Sequence, residues 1–435
     1  MKLKRLISLF LVLALCLPIA ACRQDEQPVM ESAEIESETE AETETEIAEP
    51  ETEPPETEVE TETETETETE PPLPESDELL TDPDSEITAY SDDEDDETEK
   101  QETEPPETEP ETEPEPEEPP RIYNYLNGKT VTEEEQKHRP VAIMLNNLKQ
   151  QLPQYGLDYG QIFYECAAEG GITRLMMLVD NYEDIGQVGS IRSSRDYFVD
   201  FLANHDALYV HAGGSAQAYS KISWRGIQNL DGVNMYLPST FWRDQWRMYN
   251  IGYEHSMMTN GEGIVSGIQY KGYRTELDPA QEPLFQFYDE DTDHKISGSV
   301  ATHIHMQSTS LQTVDFVYDK ETGEYLRWQY NGIKHVDGTT GNQISVKNLI
   351  ILFTDISLIP GDTAGRLSVG TVGSGQGYYI TNGKRKVINW SREGKTTCLR
   401  LEYRNGDELI LNSGKTFICV VDNSVAKKIE FDYQW

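Results

Sequence analysis

The sequence predicts an α/β domain followed by a mainly antiparallel β domain, the two preceded by a disordered acidic stalk. Three observations carry this expectation. A long Glu/Thr/Pro tract precedes any apolar periodicity, apolar runs alternate with helix-like segments from Arg139 to about Pro283, and after about Thr302 short β-rich runs are punctuated by Asn-Gly pairs. Strands alternating with helices imply a layered, mostly parallel α/β arrangement. Asn-Gly suits the positive φ angles of a type I′ turn, so each such pair marks a hairpin.

The 435 residues carry a formal charge of −45, but unevenly. Residues 23–120 hold 43 Asp and Glu against two basic residues, Arg23 and Lys100, whereas residues 121–435 hold 37 acids and 30 bases. The acidity therefore belongs to one segment, and residues 121–435 have the balance of an ordinary, mildly acidic globule. Their number suits about two domains, read as 121–290 and 291–435. A net-acidic globule lacks the electrostatic footprint of a nucleic-acid binder.

Residues 1–21 read as a signal peptide. Lys2, Lys4 and Arg5 form the charged end, and the apolar run Leu6 to Leu17 has the length for export rather than spanning. The run closes on Ala20-Ala21-Cys22, small residues before a cysteine, which predicts cleavage there and acylation of Cys22. The alternative is a plain signal peptide with an incidental cysteine. Acylation implies a lipid anchor on the outer face of the bacterial cytoplasmic membrane, with the membrane as the first partner. Residues 22–120, poor in aromatic and long aliphatic side chains, cannot bury enough apolar surface to offset the entropy of ordering. As a spacer, the tract would reach about 55 Å as a flexible coil and about 300 Å if fully extended. A metal-buffering tract and Thr-linked glycosylation are further options.

Within the α/β half, Val141 to Leu145 reads as a strand ending at Asn146-Asn147. Asp158 to Ala168 reads as a helix, Asp158 and Gln161 spaced as a capping box and Gly170 placed to stop it. Ile172 to Val179 is a strand. Ser193 or Ser194 caps a helix to about Ala203, Ala207 to Val210 is a strand, and Ser215 caps a helix behind Gly213-Gly214. In the second half, Val314 to Tyr318, Tyr325 to Tyr330, Asn348 to Phe353, Lys386 to Trp390, Thr397 to Tyr403 and Thr416 to Val421 are strands. Asn331-Gly332, Asn382-Gly383 and Asn405-Gly406 are the hairpin turns.

Several short motifs carry a family resemblance. Arg139-Pro140-Val141-Ala142, Glu165, Glu169-Gly170-Gly171-Ile172-Thr173-Arg174, Arg192-Ser193-Ser194-Arg195, His211-Ala212-Gly213-Gly214-Ser215, Tyr325-Leu326-Arg327 and Lys347-Asn348 resemble the motif set of the YerB-type bacterial lipoproteins. The resemblance spans residues 137–435 and departs at Glu254-His255-Ser256. It implies two adjacent domains of unknown function and no reaction.

Ligands of parallel α/β layers bind beyond the carboxyl ends of the strands. Asn146, Arg192, Arg195, His211 and Ser215 fall at such ends or at the helix starts beyond them. The arginines, with Arg174, either form an anion pocket or are neutralised internally by Glu165, Glu169 or Asp196. On a helix, Glu165 and Glu169 would share a face and repel. His211 with Glu165 or Glu169 is the candidate catalytic set of an envelope hydrolase or transferase, although no nucleophile elbow surrounds Ser215. Tyr236, Phe241, Trp242, Trp246, Tyr249 and Tyr253, interleaved with Arg243, Asp244 and Arg247, form either a glycan platform or packing between the domains; His255 comes next. His303 and His305 share a strand face, but nothing in their spacing completes a metal site, and no motif calls for a cofactor. Cys398 and Cys419, two strand spacings or about 9.6 Å apart in a simple meander, exceed disulfide reach, and both, with Cys166, are expected as buried thiols. Three functions remain open: a binder of an anionic or glycan envelope component or of a partner protein, the hydrolase or transferase, and a scaffold.

Overall fold

The computed structural model describes residues 121–434, so the expected signal peptide, the expected acylation at Cys22 and the expected acidic stalk lie outside the described residues. One eleven-stranded sheet draws on both halves of the chain. Its order is Ser299–Val300, Lys384–Arg392, Gly373–Thr381, Asn348–Thr354, Thr416–Asp422, Ile162–Ala167, Thr173–Val179, Val141–Asn146, Leu208–His211, Asn229–Asp231, with Arg400–Tyr403 beside Lys384–Arg392. The seam between the halves is the parallel pairing of Ile162–Ala167 with Thr416–Asp422. There Phe163 lies opposite Phe417 and the two rings stack with centroids 5.5 Å apart.

Both faces of this sheet are covered, so its central strands show no polar alternation. The strand Val141–Asn146 is buried throughout. Val141, Ile143 and Leu145 join one apolar core, Ala142 and Met144 the other, as a two-residue repeat requires. The first core is closed by a six-stranded antiparallel sheet through Ile304, Met306, Val314, Phe316 and Tyr325. The second is closed by the helix Asp196–Leu202, which contributes Tyr197, Phe198, Phe201 and Leu202.

The expected architecture, α/β first and mainly antiparallel β after it, is present. The predicted strands at Val314, Tyr325, Asn348, Lys386 and Thr416 stand where the sequence puts them, and the Thr397–Tyr403 run yields a shorter strand, Arg400–Tyr403. Asn382-Gly383 turns between Thr381 and Lys384 with φ of 50° and 74°, and Asn331-Gly332 turns with 58° and 93°. At Asn405-Gly406 only Gly406 has a positive φ, 88°.

Three expectations are corrected. The segment Asp158 to Ala168 is not a helix: after a single 3-10 turn it is the strand Ile162–Ala167. Ile162, Phe163 and Tyr164 favour a strand, and a central strand with two neighbours loses the alternation that would have betrayed it. Gly170, with φ 73°, serves the turn of a β-hairpin rather than a helix stop. The layer is not mostly parallel, because Thr173–Val179 runs antiparallel to both Ile162–Ala167 and Val141–Asn146. Cys166 and Cys419 are buried, but Cys398 is exposed, and the strand after it is separated from Cys419's strand by three others.

Candidate functional site

Val141–Asn146, Leu208–His211 and Asn229–Asp231 are parallel neighbours, so Asn146, His211 and Asp231 reach one edge of the sheet. The antiparallel Thr173–Val179 begins at the same edge, with Arg174 paired to Asn146. The 191–195 segment lies across these ends. Arg192 N donates to Met144 O (2.9 Å), its carbonyl accepts from Ala212 N (3.0 Å), and Ser194 N donates to Gly213 O (2.9 Å).

This edge gathers three guanidinium groups. Arg174 Nη2 donates to Glu169 Oε2 at 3.2 Å and its Nη1 to Ser193 O at 2.6 Å. Arg195 Nε donates to the other Glu169 oxygen, and its Nη1 to Ser194 O at 2.7 Å. Arg192 Nη1 donates to Glu254 O at 3.1 Å and stands 3.7 Å from the Glu254 carboxylate. His255 is next along the chain, its Nδ1 2.9 Å from Asn146 Nδ2 and its Nε2 3.2 Å from Glu254 Oε1. Burial, then the neighbouring Arg195, pulls Arg174 down to about 10. Burial also lowers Arg192 and His255, the latter next through Arg192 itself. Burial alone would raise Glu169, but the Arg195 hydrogen bond and the Arg174 charge outweigh it and hold the carboxyl below its usual value.

The other candidates lie elsewhere or deeper. His211 is fully buried, its ring between Gly213 O (Nδ1, 2.9 Å) and Asn229 Oδ1 (Nε2, 3.2 Å). Burial lowers its pKa against the pull of Asp231, 3.9 Å away. Asp231 organises the adjoining loop, accepting from Gly213 N (2.7 Å), Val233 N (3.0 Å) and Tyr219 Oη (2.6 Å). Ser215 is buried, and its Oγ accepts from Ala218 N at 3.1 Å as the expected helix cap. Glu165 faces the interior and accepts from Arg327 at 2.6 Å. Among the described residues no hydrogen bond or ion pair joins His211 to Glu165 or Glu169, so the catalytic candidates are not assembled. His303 and His305 both meet Asp315 Oδ1, at 3.0 and 2.7 Å, and among the described residues no set of His, Cys, Asp or Glu has the makings of a metal centre.

Arg327, named in the sequence only within a family motif, has a role that sequence reasoning did not assign. The strand Glu324–Gln329 alternates, placing Tyr325, Arg327 and Gln329 inward. An arginine at an inward position of an amphipathic strand announces a buried partner. It receives one from across the sheets, and the network continues through His335, Gln154 (3.0 Å from His335) and Asn147 (2.9 Å from Gln154).

The aromatic segment is the largest departure from a packing role. It forms an excursion between the short strands Trp242–Arg243 and Met257–Thr259, paired antiparallel at its base. Asp244 caps the helix Gln245–Asn250 by accepting from Arg247 N at 2.7 Å. Buried Arg247 pins that helix by donating to Gln151 O (3.1 Å) and Pro153 O (2.9 Å). Arg243 lies 4.0 Å from the Tyr253 ring and donates to its carbonyl at 2.7 Å. Phe241 packs against the core, whereas the later rings reach solvent: Trp242 is 39% exposed, Trp246 64%, Tyr249 79% and Tyr253 64%. They do not fill an interface between the two halves. Glu254 and His255 stitch the excursion to Arg192 and Asn146, so ring platform and arginine rim are contiguous.

Comparisons with known proteins agree with this organisation. Residues 126–274 match the family described as "Protein of unknown function (DUF3048) N-terminal domain", and residues 303–418 its C-terminal domain. The "Putative lipoprotein YerB" of Bacillus subtilis (strain 168) is 27% identical over 305 residues, covering 70% of this chain and 87% of that protein. The crystal structure of YerB protein from Bacillus subtilis superposes with a TM-score of 0.61 at 24% identity, over 72% of this chain and 100% of that one, a likeness of fold.

Proposed function

The chain belongs to the family defined by paired DUF3048 N-terminal and C-terminal domains, and from that premise we propose that it is a lipid-anchored envelope protein that binds wall glycan through its exposed aromatic excursion. The observation that carries the proposal is the exposure of Trp242, Trp246, Tyr249 and Tyr253 on one pinned loop. Burying a large apolar side chain is worth about 1.5–3 kcal/mol, so rings left largely in water, Trp246 and Tyr249 above all, forgo stabilisation. Their scaffold is rigid, because Arg247 and the Asp244 cap use their hydrogen bonds to hold the loop rather than to reach a ligand. Aromatic faces carry negative charge density and pack against the C–H faces of pyranose rings, while Arg243, Asn250 and Glu254 are at hand for hydroxyl and acetamido groups.

Anchoring is supported by Cys22 after Ala20-Ala21 and by the similarity to a protein described as a putative lipoprotein. The acidic tract of residues 23–120 would then act as a tether. At about 3.1 Å per residue it could place the globule up to about 300 Å from its lipid, within the depth of a wall.

Co-sedimentation of the purified protein with isolated peptidoglycan tests the reading. Trp246→Ala with Tyr249→Ala removes two exposed rings without touching the core, and apparent affinity should fall about tenfold or more. Sedimentation that is absent in the parent protein, or unchanged in the double variant, would refute it.

A further inference from the structure

Three guanidinium groups share the rim, and their compensation is incomplete. Glu169 alone bridges Arg174 and Arg195. Among the described residues the only other carboxylate in ion-pair range is Glu254, which stands off Arg192 at 3.7 Å and is itself 68% exposed on its side chain. Arg174 is 4% exposed, and its Nε makes no hydrogen bond among the described residues; neither does Nε of Arg192. A buried guanidinium donor without an acceptor is costly. Burial lowers Arg174 and Arg192, and the nearby positive charge of Arg195 lowers both further. The cluster therefore holds surplus positive charge and surplus donors in a partly desolvated place, where an added anion would be stabilised on both counts.

We infer that Arg174, Arg192 and Arg195 form a binding site for a phosphate-class oxyanion, distinct from the ring platform and joined to it through Glu254. A dianion suits the charge count better than a monovalent carboxylate. Glu169 offsets one of the three positive charges, and solvent-screened Glu254 offsets a second only weakly. Guanidinium forks match tetrahedral oxyanions with paired donors, which a lysine cluster would not. Glu254 occupies the position of a competing acceptor, so an incoming phosphate displaces its weak contact with Arg192. The inference goes beyond glycan recognition, since it stands whether or not the aromatic rings hold a sugar.

Isothermal titration of the full chain with inorganic phosphate at constant ionic strength, with acetate as the monovalent control, decides it. Saturable phosphate binding is expected, with acetate about tenfold weaker. Arg192→Gln should weaken phosphate binding about tenfold, in line with the loss of one charge-assisted donor. Glu254→Gln, which keeps the backbone bond from Arg192 to the residue 254 carbonyl, should strengthen it severalfold by removing the competing charge. Trp246→Ala with Tyr249→Ala should leave the phosphate titration unaltered, so failure of the glycan reading and failure of this one are separable. Absence of saturable phosphate binding, or binding indifferent to both Arg192→Gln and Glu254→Gln, would overturn the inference.

Discussion

Replacing Arg327 by Met probes the contact that locks the two sheets together. Arg327 is fully buried on the Glu324–Gln329 strand, and it donates to Glu165 of the large sheet at 2.6 Å and to Gln329 Oε1 at 3.1 Å. Methionine keeps much of the apolar stem between Phe417 and Phe316, whose rings lie 4.9 and 5.8 Å from the guanidinium. It leaves the Glu165 carboxylate buried without its cation. Removing one member of a buried ion pair costs about 3–5 kcal/mol. Here Glu165 retains hydrogen bonds from Thr173 (2.6 Å) and Asn147 (3.1 Å), which places the expected loss near the lower bound, about 3 kcal/mol. Glu165→Gln should cost a similar amount by stranding Arg327. The combination Glu165→Gln with Arg327→Met removes both charges and should be less destabilising than the sum by about 2 kcal/mol or more. Urea unfolding followed by tryptophan fluorescence measures all four corners of the cycle. A loss below about 0.5 kcal/mol for Arg327→Met, or strict additivity in the cycle, would refute the claim that this pair couples the sheets.

The same contacts set further expectations. Burial holds His205 down at about 3, and also lowers His211 and His335 below their ordinary value. The unfolded chain then binds more protons than the folded one below pH 6.5, and stability present above that pH is lost as pH falls toward the folded values. For His205 this amounts to about 2 kcal/mol between pH 6.5 and 5, measurable as a falling urea midpoint, and His205→Gln should show a shallower acid limb. Gly261 opens a helix against the backbone of the 182–184 turn, where an added Cβ would collide with the Glu183 and Tyr182 carbonyl oxygens; Gly261→Ala should lose about 2–4 kcal/mol in the same assay. Of the three cysteines in the described residues, only Cys398 should react with a thiol reagent in the folded protein, Cys166 and Cys419 doing so after unfolding.

Local chemistry guided some positions and not others: neither Ser193 nor Ser194 caps the helix Asp196–Leu202, whose N-cap is Arg195 without a side-chain bond. Asn382-Gly383 needs no tertiary context to turn a hairpin, and Ser215 behind two glycines caps its helix through a partner three residues away. Context decided the rest. Ile162 to Ala167 is apolar at nearly every position because both of its faces are covered, and a run without period is equally readable as helix or strand until its neighbours are known. Its pairing with Thr416–Asp422, some 250 residues away, is a long-range event that no local pattern encodes. Misplacing that strand also misplaced Glu165, which points between the sheets toward Arg327 rather than along a helix beside Glu169. At the rim, Asn146, Arg174, Arg192, Arg195 and His255 do come together, whereas His211 and Ser215 are consumed by the fold beneath them. The aromatic run was visible as composition, but its exposure depends on the anchoring of Arg247 to Gln151 and Pro153, a contact between segments about a hundred residues apart.

Hydroxyl-radical footprinting of the protein with and without soluble peptidoglycan fragments measures the working face directly. Protection should concentrate at Trp242, Trp246, Tyr249 and Tyr253, with the exposed Leu311 and Leu358 of the C-terminal half unchanged. Protection confined to that half, with the four rings as reactive as in the free protein, would contradict the glycan reading.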